Sequence, residues 1–132
     1  YCTGGKNGYT PSAGKTLVTT AKKDNLRLTT VSLSDGDSYN THQKLYEYIY
    51  SKYKRYEVID KNHFSIDKSF FSDKLYIKKS FYYPLTDDEV NNIKTVVKIT
   101  KTKSYKNNDK VGVIEIFLNK DKIGSVDVYV KK

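Results

Sequence analysis

Apolar and polar residues alternate along most of this chain, the period of half-buried strands, and one stretch breaks into helical spacing. Residues 2–7 read as a short strand, and residues 8–14 as a turn broken by Pro11, Ser12 and Gly14. Residues 15–21 are β-branched and strand-like, and Lys22-Lys23-Asp24-Asn25 is a polar turn. In the strand over 26–33, Leu26 and Leu28 face one way while Val31 and Leu33 face the other, which predicts cover on both sides. Asp37 or Ser38 can then cap a helix over 39–53, where Leu45, Tyr48, Ile49 and Tyr53 share the face expected to pack on the sheet.

Beyond Ile59 the character shifts. Residues 61–73 are polar and irregular, with Phe64, Ile66, Phe70 and Phe71 as anchors, and only strands are expected afterwards. Residues 74–77 form a short one. Residues 93–101 alternate, placing Ile93, Thr95, Val97 and Ile99 inward and Lys94, Lys98 and Thr100 outward. Strands over 111–118 and 123–130 flank Asn119-Lys120-Asp121-Lys122, a hairpin signal, and Val126, Val128 and Val130 share a face. The prediction is α+β: an antiparallel sheet piece with one helix over residues 1–58, then a small all-β, sandwich-like domain over 59–132.

Charge adds a second theme. The 132 residues carry a formal net charge of +9, nearly all from lysine, since Arg27 and Arg55 are the only arginines. Bidentate guanidinium recognition of phosphate or guanine is therefore scarce. A diffuse lysine field suits an anionic surface such as nucleic acid, anionic lipid or an acidic wall polymer, and it also accompanies a composition rich in Lys, Asn, Tyr and Ile. The interleaved Tyr46, Tyr48, Tyr50, Lys52, Tyr53 and Lys54 allow base stacking with phosphate contacts, but core tyrosines beside solvated lysines explain them better. Cys2, the only cysteine, makes no internal disulfide or zinc cluster. His42 and His63 are too scattered for a metal site and read as solvated surface histidines. No cofactor is expected. The sequence contains no Met, so it reads as processed or as a piece of something longer. No apolar run is long enough for a signal peptide or membrane span, which places any export signal upstream of Tyr1.

The candidate chemistry lies in Gly4-Gly5-Lys6-Asn7-Gly8-Tyr9-Thr10-Pro11, where glycines bracket a lysine. Gly5 and Gly8 let another chain or a ligand approach the backbone closely, as a site laying a carboxylate along a strand edge requires. By composition alone, a glycine-rich turn with a solvated lysine fits equally well. Three nearby patterns are decoys. Ser12-Ala13-Gly14-Lys15 has Ser-x-x-Lys spacing, but Pro11 and Gly14 make a turn where the amine would need a helix to reach the hydroxyl. Ser38-Tyr39-Asn40 has Ser-x-Asn spacing without the rest of the set. Gly14-Lys15-Thr16 mimics the end of a phosphate-binding loop, but Tyr9 stands where the motif needs its first glycine.

The longer string running from Gly4 through Lys6-Asn7-Gly8-Tyr9-Thr10, Ala13-Gly14-Lys15 and Leu17-Val18-Thr19-Thr20-Ala21 to Leu26-Arg27-Leu28 closely resembles the C-terminal part of serine D-alanyl-D-alanine carboxypeptidases, the low-molecular-mass penicillin-binding proteins. Val111-Gly112-Val113-Ile114 and the hairpin Asn119-Lys120-Asp121-Lys122-Ile123-Gly124-Ser125-Val126 resemble their β-rich C-terminal domain, more weakly. The resemblance implies that Lys6 matches the lysine of a Lys-Thr-Gly box on an edge strand and keeps the site positive. It implies that Gly8 leaves room for substrate, and that Asn7 replaces the usual threonine that binds the substrate carboxylate. An asparagine amide also donates hydrogen bonds, so binding is altered rather than lost. Around Tyr39-Asn40-Thr41-His42 no residue matches the family's further basic residue.

In the family, Ser-x-x-Lys and Ser-x-Asn precede the lysine box, whereas only residues 1–5 precede Lys6 here. No catalytic residue is therefore assigned in this chain, and the nucleophile is expected upstream. The resemblance implies a parent enzyme of the cell envelope that trims peptidoglycan D-Ala-D-Ala stem peptides by serine acyl transfer and is acylated by β-lactams. It implies no specific nucleic-acid partner, and membrane attachment only through segments outside this chain. Self-association of the isolated piece is expected from sheet faces left uncovered. The alternative is a non-catalytic basic module, carried by the β half, that binds anionic cell-wall polymer or nucleic acid.

Overall fold

The structure, a computed structural model, describes residues 1–64, 66 and 74–132. The expected anchors Phe70 and Phe71 lie outside the described residues. The chain divides into two compact units, one of Tyr1–Arg55 with Pro84–Asp87 and the other of Tyr56–Tyr83 with Asp88–Lys132. The architecture is α+β with antiparallel sheets, as the residue pattern predicts.

In the first unit β1 (Cys2–Thr10), β2 (Gly14–Lys23) and β3 (Leu26–Leu33) form a three-stranded meander with β2 at its centre. β1 continues through Gly8 to Thr10, where the glycine content predicted a turn, because each of these residues finds a partner on β2, from Gly8 with Thr16 to Thr10 with Gly14. The turn is confined to residues 11–13 and closes on Gly14, whose φ of +70° suits a residue without a Cβ. The next turn narrows to Asp24 and Asn25, both at positive φ (50° and 64°), the geometry that matches the twist of a two-residue hairpin.

Helix α1 (Ser38–Lys52) follows, with Asp37 as an N-cap whose side chain makes no capping bond. Its buried residues are Ser38, His42, Tyr46 and Tyr50, one every fourth position. This corrects the expected face: Leu45 and Tyr48 are 44% and 53% exposed. The tyrosines win because each offers a large apolar ring and a hydroxyl that reaches the sheet backbone, Tyr46 to the Thr19 carbonyl at 2.7 Å and Tyr50 to the Leu26 carbonyl at 3.0 Å. With Ala21 and Leu26 they make the small core of this unit. α1 covers one face of the sheet; on the other, Val31 and Leu33 of β3 are 60% and 71% exposed among the described residues, against the expectation of two-sided cover.

Beyond α1 come β4 (Lys54–Ile59), β5 (Lys74–Ile77), β6 (Phe81–Leu85), a four-residue helix α2 (Asp87–Val90), β7 (Ile93–Ile99), β8 (Lys110–Leu118) and β9 (Asp121–Lys131). α2 departs from the helix-free expectation. The pairing of β4 with β6 has no counterpart in the sequence reading, because β6 contains Pro84 and offers only a five-residue pattern. β5, β9, β8 and β7 form the main sheet in that order. Its inner face buries Leu75, Ile77, Val111, Ile114, Ile116, Val126, Val128 and Val130 together with Ile59, while Phe64, Ile66 and Phe81 pack against them. Val126, Val128 and Val130 thus share the predicted face. Val97 lies on edge strand β7 and stays 42% exposed.

The outer face of this sheet carries ion pairs among Val96, Val113 and Phe117. Glu115 sits between Lys98 (2.5 Å) and Lys122 (3.3 Å), and the Lys98 ammonium is the main cause of a carboxyl held below its usual range. A depressed carboxylate stabilises the fold above its unfolded-state pKa, and that contribution disappears as pH falls through the folded-state value. Glu115→Gln is accordingly expected to lower the melting temperature at pH 7, with the gap to wild type closing at acid pH. Melting curves across pH check this; a constant gap would contradict it.

Candidate functional site

Every residue of β1 is exposed, and its outer edge pairs with no other strand among the described residues. Lys6, Asn7 and Gly8 are consecutive on it, opposite Val18, Leu17 and Thr16 of β2. Alternation sends Lys6 and Asn7 to opposite faces. Lys6 lies on the face away from α1, and its ammonium donates to the Asn7 carbonyl at 2.7 Å. Asn7 lies on the α1 side, where its Nδ2 donates to the hydroxyl of Tyr39 in the first helical turn at 3.2 Å. A depression of about 310 Å³ opens here, lined by Asn7, Gly8, Tyr9, Thr16, Ser38 and Tyr39 together with Lys15. Lys15 contributes a positive charge to this lining, while Asp35 and Asp37 immediately precede its Ser38 and Tyr39 in the chain.

Gly5 answers the question of the bracketing glycines in part. A Cβ on it would stand 2.9 Å from the Val18 carbonyl oxygen and 3.0 Å from Thr19 Cγ2, so its bareness is already used against β2. Gly8 is less confined, with only Thr16 Oγ1 at 3.0 Å from such an atom.

Behind Gly5 lies its register partner Thr19, 6% exposed and the centre of a buried polar cluster. Thr19 Oγ1 is 2.7 Å from His42 Nδ1 and 2.6 Å from the Tyr46 hydroxyl, while His42 Nε2 is 2.9 Å from Ser32 Oγ. One set of proton positions satisfies every atom. Tyr46 donates to the Thr19 carbonyl, Thr19 to the Tyr46 oxygen, His42 Nδ1–H to Thr19, and Ser32 to Nε2. His42 is thus a 2% exposed structural residue, which corrects its reading as solvated; His63 is exposed as expected and pairs with Asp60 at 2.7 Å. Asp60 raises the His63 pKa, chiefly by accepting its hydrogen bond. The signal for the cluster was the Ser38, His42, Tyr46, Tyr50 spacing, which hydrophobicity alone ranks below Leu45 and Ile49.

Ser12 lies in the turn after β1 and Ser38 opens α1. Among the described residues no group of three or more His, Cys, Asp or Glu is placed to hold a metal ion, and no helix is long and apolar enough to cross a membrane.

Residues 53–132 match the model of a family described as penicillin-binding protein 5, C-terminal domain. No curated protein matches the chain in sequence. Among solved structures the chain is similar to the D-alanyl-D-alanine carboxypeptidase DacD from Francisella tularensis, at 24% identity and a TM-score of 0.68 over 98% of this chain and 36% of that one. It is also similar to penicillin-binding protein 5 from Haemophilus influenzae, at 16% identity and a TM-score of 0.67 over 96% of this chain and 40% of that one. Penicillin-binding protein 6B from Escherichia coli matches at 18% identity with a TM-score of 0.55, over 92% of this chain and 32% of that one. At such identities the likeness shows the fold, and the chain spans well under half the length of these proteins.

Proposed function

From the premise that this chain belongs to the penicillin-binding protein 5 C-terminal domain family, we propose that it is the C-terminal part of a serine-type D-alanyl-D-alanine carboxypeptidase of the cell envelope. Residues 1–58 would close its catalytic domain and residues 59–132 would form the β-rich module behind it. The carrying observation is that Lys6, Asn7 and Gly8 stand in sequence on an exposed strand edge, beside a depression lined by Asn7, Gly8, Lys15 and Tyr39. A stem peptide ending in D-Ala-D-Ala lies along that edge. A serine supplied from outside these residues attacks the penultimate carbonyl, D-alanine leaves, and water hydrolyses the acyl-enzyme. A β-lactam enters the same path as far as the acyl-enzyme.

Lys6 keeps the site positive and favours the negative charge that develops on the attacked carbonyl. Backbone N–H groups on the unpaired edge of β1 would supply donors to it. Asn7 takes the terminal carboxylate. Tyr39 accepts a hydrogen bond from the Asn7 amide, which holds that amide in place and leaves the phenol hydrogen free to donate to the same carboxylate. A tyrosine would then serve where relatives use a basic residue. The uncovered face bearing Val18, Val31 and Leu33 supports self-association of the chain when it is isolated.

In the enzyme carrying its upstream residues, Asn7→Ala is expected to lower kcat/KM for D-alanine release by about 10- to 100-fold, the weight of a hydrogen bond to a charged group. Asn7→Thr should retain most of the activity. Assay of D-alanine released from a synthetic peptide ending in D-Ala-D-Ala checks both, and equal activity of the alanine variant and wild type would sink the assignment.

A further inference from the structure

The outer face of the β5-β9-β8-β7 sheet is divided in its charge. On the β8 side each acid is matched, Glu115 by Lys98 and Lys122, and Asp127 by Lys110 at 2.9 Å. At the β5–β9 end the pattern changes. Lys74 stands directly opposite Lys131, and the next pair on the same face is Tyr76 opposite Tyr129. Both lysines are exposed, and neither makes an ion pair with a described residue. Like charges directly opposite across a strand pair are destabilising. The two tyrosine rings lie 5.7 Å apart, and Lys78 places its ammonium 3.9 Å from the Tyr129 ring centre. Beside them opens a depression of about 370 Å³ lined by Lys78, Lys79, Ser80, Ser125, Asp127 and Tyr129 among others.

We propose that this strip, from Lys74 and Lys131 past Tyr76 and Tyr129 to Lys78 and Lys79, binds a linear anionic polymer of phosphodiester-linked polyol or sugar units. The polymer's charges relieve the opposed lysines, and its polyol portions run beside the tyrosine pair and against the hydroxyls of Ser80 and Ser125. The chemistry favours such a polymer over nucleic acid. The Tyr129 ring is already taken by an ammonium, and the Tyr76 hydroxyl is tied to Asn108 Oδ1 at 2.6 Å. The two rings are tilted by 33°, so the strip has no open stacked platform for bases. It also contains no arginine, so it holds compact point charges and no guanidinium fork. The proposal is independent of the acyl-transfer reading, because no residue of β1 enters it.

The test titrates the 132-residue chain with soluble poly(glycerol phosphate) over a series of salt concentrations. Lys74→Gln/Lys131→Gln is compared with Lys94→Gln/Lys101→Gln, which removes the same charge elsewhere on the β unit. The strip variant is expected to bind about 10-fold more weakly at low salt and to flatten the slope of log K against log salt by about 1 to 2, each lost phosphate contact contributing slightly less than one. The control should change affinity by less than about 3-fold if the site is local. Equal losses in the two variants would overturn the proposal in favour of a diffuse field. A single-stranded oligonucleotide of matched charge that binds as tightly as the polymer would overturn it in favour of nucleic acid.

Discussion

Ile114→Ala is expected to destabilise the β unit by about 3 kcal/mol, within the range of roughly 2–5 kcal/mol for deleting a buried aliphatic side chain. Ile114 is at the centre of β8, paired with Val97 on one side and Val126 on the other, and it is 0% exposed. Both neighbouring strands hydrogen-bond to β8, so they cannot collapse into the space without breaking the ladder. Part of the cost is lost transfer free energy and part is the cavity. In a unit of this size the loss corresponds to a drop in melting temperature of roughly 10–20 °C. Val97→Ala on edge strand β7, where the side chain is 42% exposed, should cost under about 1 kcal/mol. Urea unfolding of both variants checks the contrast, and equal costs would contradict the placement of the core.

Thr19→Val is expected to cost the first unit about 1–3 kcal/mol, although the two side chains have nearly the same shape. The substitution removes the hydroxyl that serves both His42 and Tyr46, so the His42 Nδ1 hydrogen is left buried without a partner. The penalty comes from that orphaned donor more than from the lost bond itself. Thr19→Val combined with His42→Leu should therefore cost less than the sum of the two changes, a coupling that a double-mutant cycle measures. Because Thr19 faces Gly5 in register, amide exchange along β1 should accelerate in the single variant. Strict additivity, with unchanged exchange, would mean that the cluster does not hold the candidate strand.

Strands were legible where one face of the chain had to be apolar: β2, β3, β5, β8 and β9 follow β-branched or alternating runs, and the β8–β9 turn is marked by Asn119 and Lys120. The helix was legible as a helix but not by its face. Leu45 and Ile49 outrank His42 and Tyr46 in hydrophobicity, yet a polar atom at the tip of a ring can satisfy the sheet's own backbone, which a leucine cannot. β4 and β6 were missed because their pairing is local to two short runs, one of them containing a proline. The continuation of β1 through Gly8 was hidden for a related reason: glycine has no strand preference, and the pairing with β2 overrides that weakness. At the candidate site the consecutive Lys6, Asn7 and Gly8 stood out as residues. The contact between Asn7 and Tyr39 did not, because residues 32 apart meet only once the helix face is chosen.

The central claim is that β1 forms one wall of an acyl-transfer site whose nucleophile these residues do not supply. The most direct measurement is covalent labelling by fluorescent penicillin, read by intact mass. It compares the 132-residue chain with the protein expressed together with its native upstream residues. The account predicts no adduct on the chain alone. It predicts an adduct on an upstream serine in the longer protein, formed about 100-fold or more slowly in its Lys6→Ala variant, as for removal of one preorganised electrostatic contact. An adduct on the 132-residue chain itself, most tellingly at Ser12, or a longer protein that never labels, would contradict it.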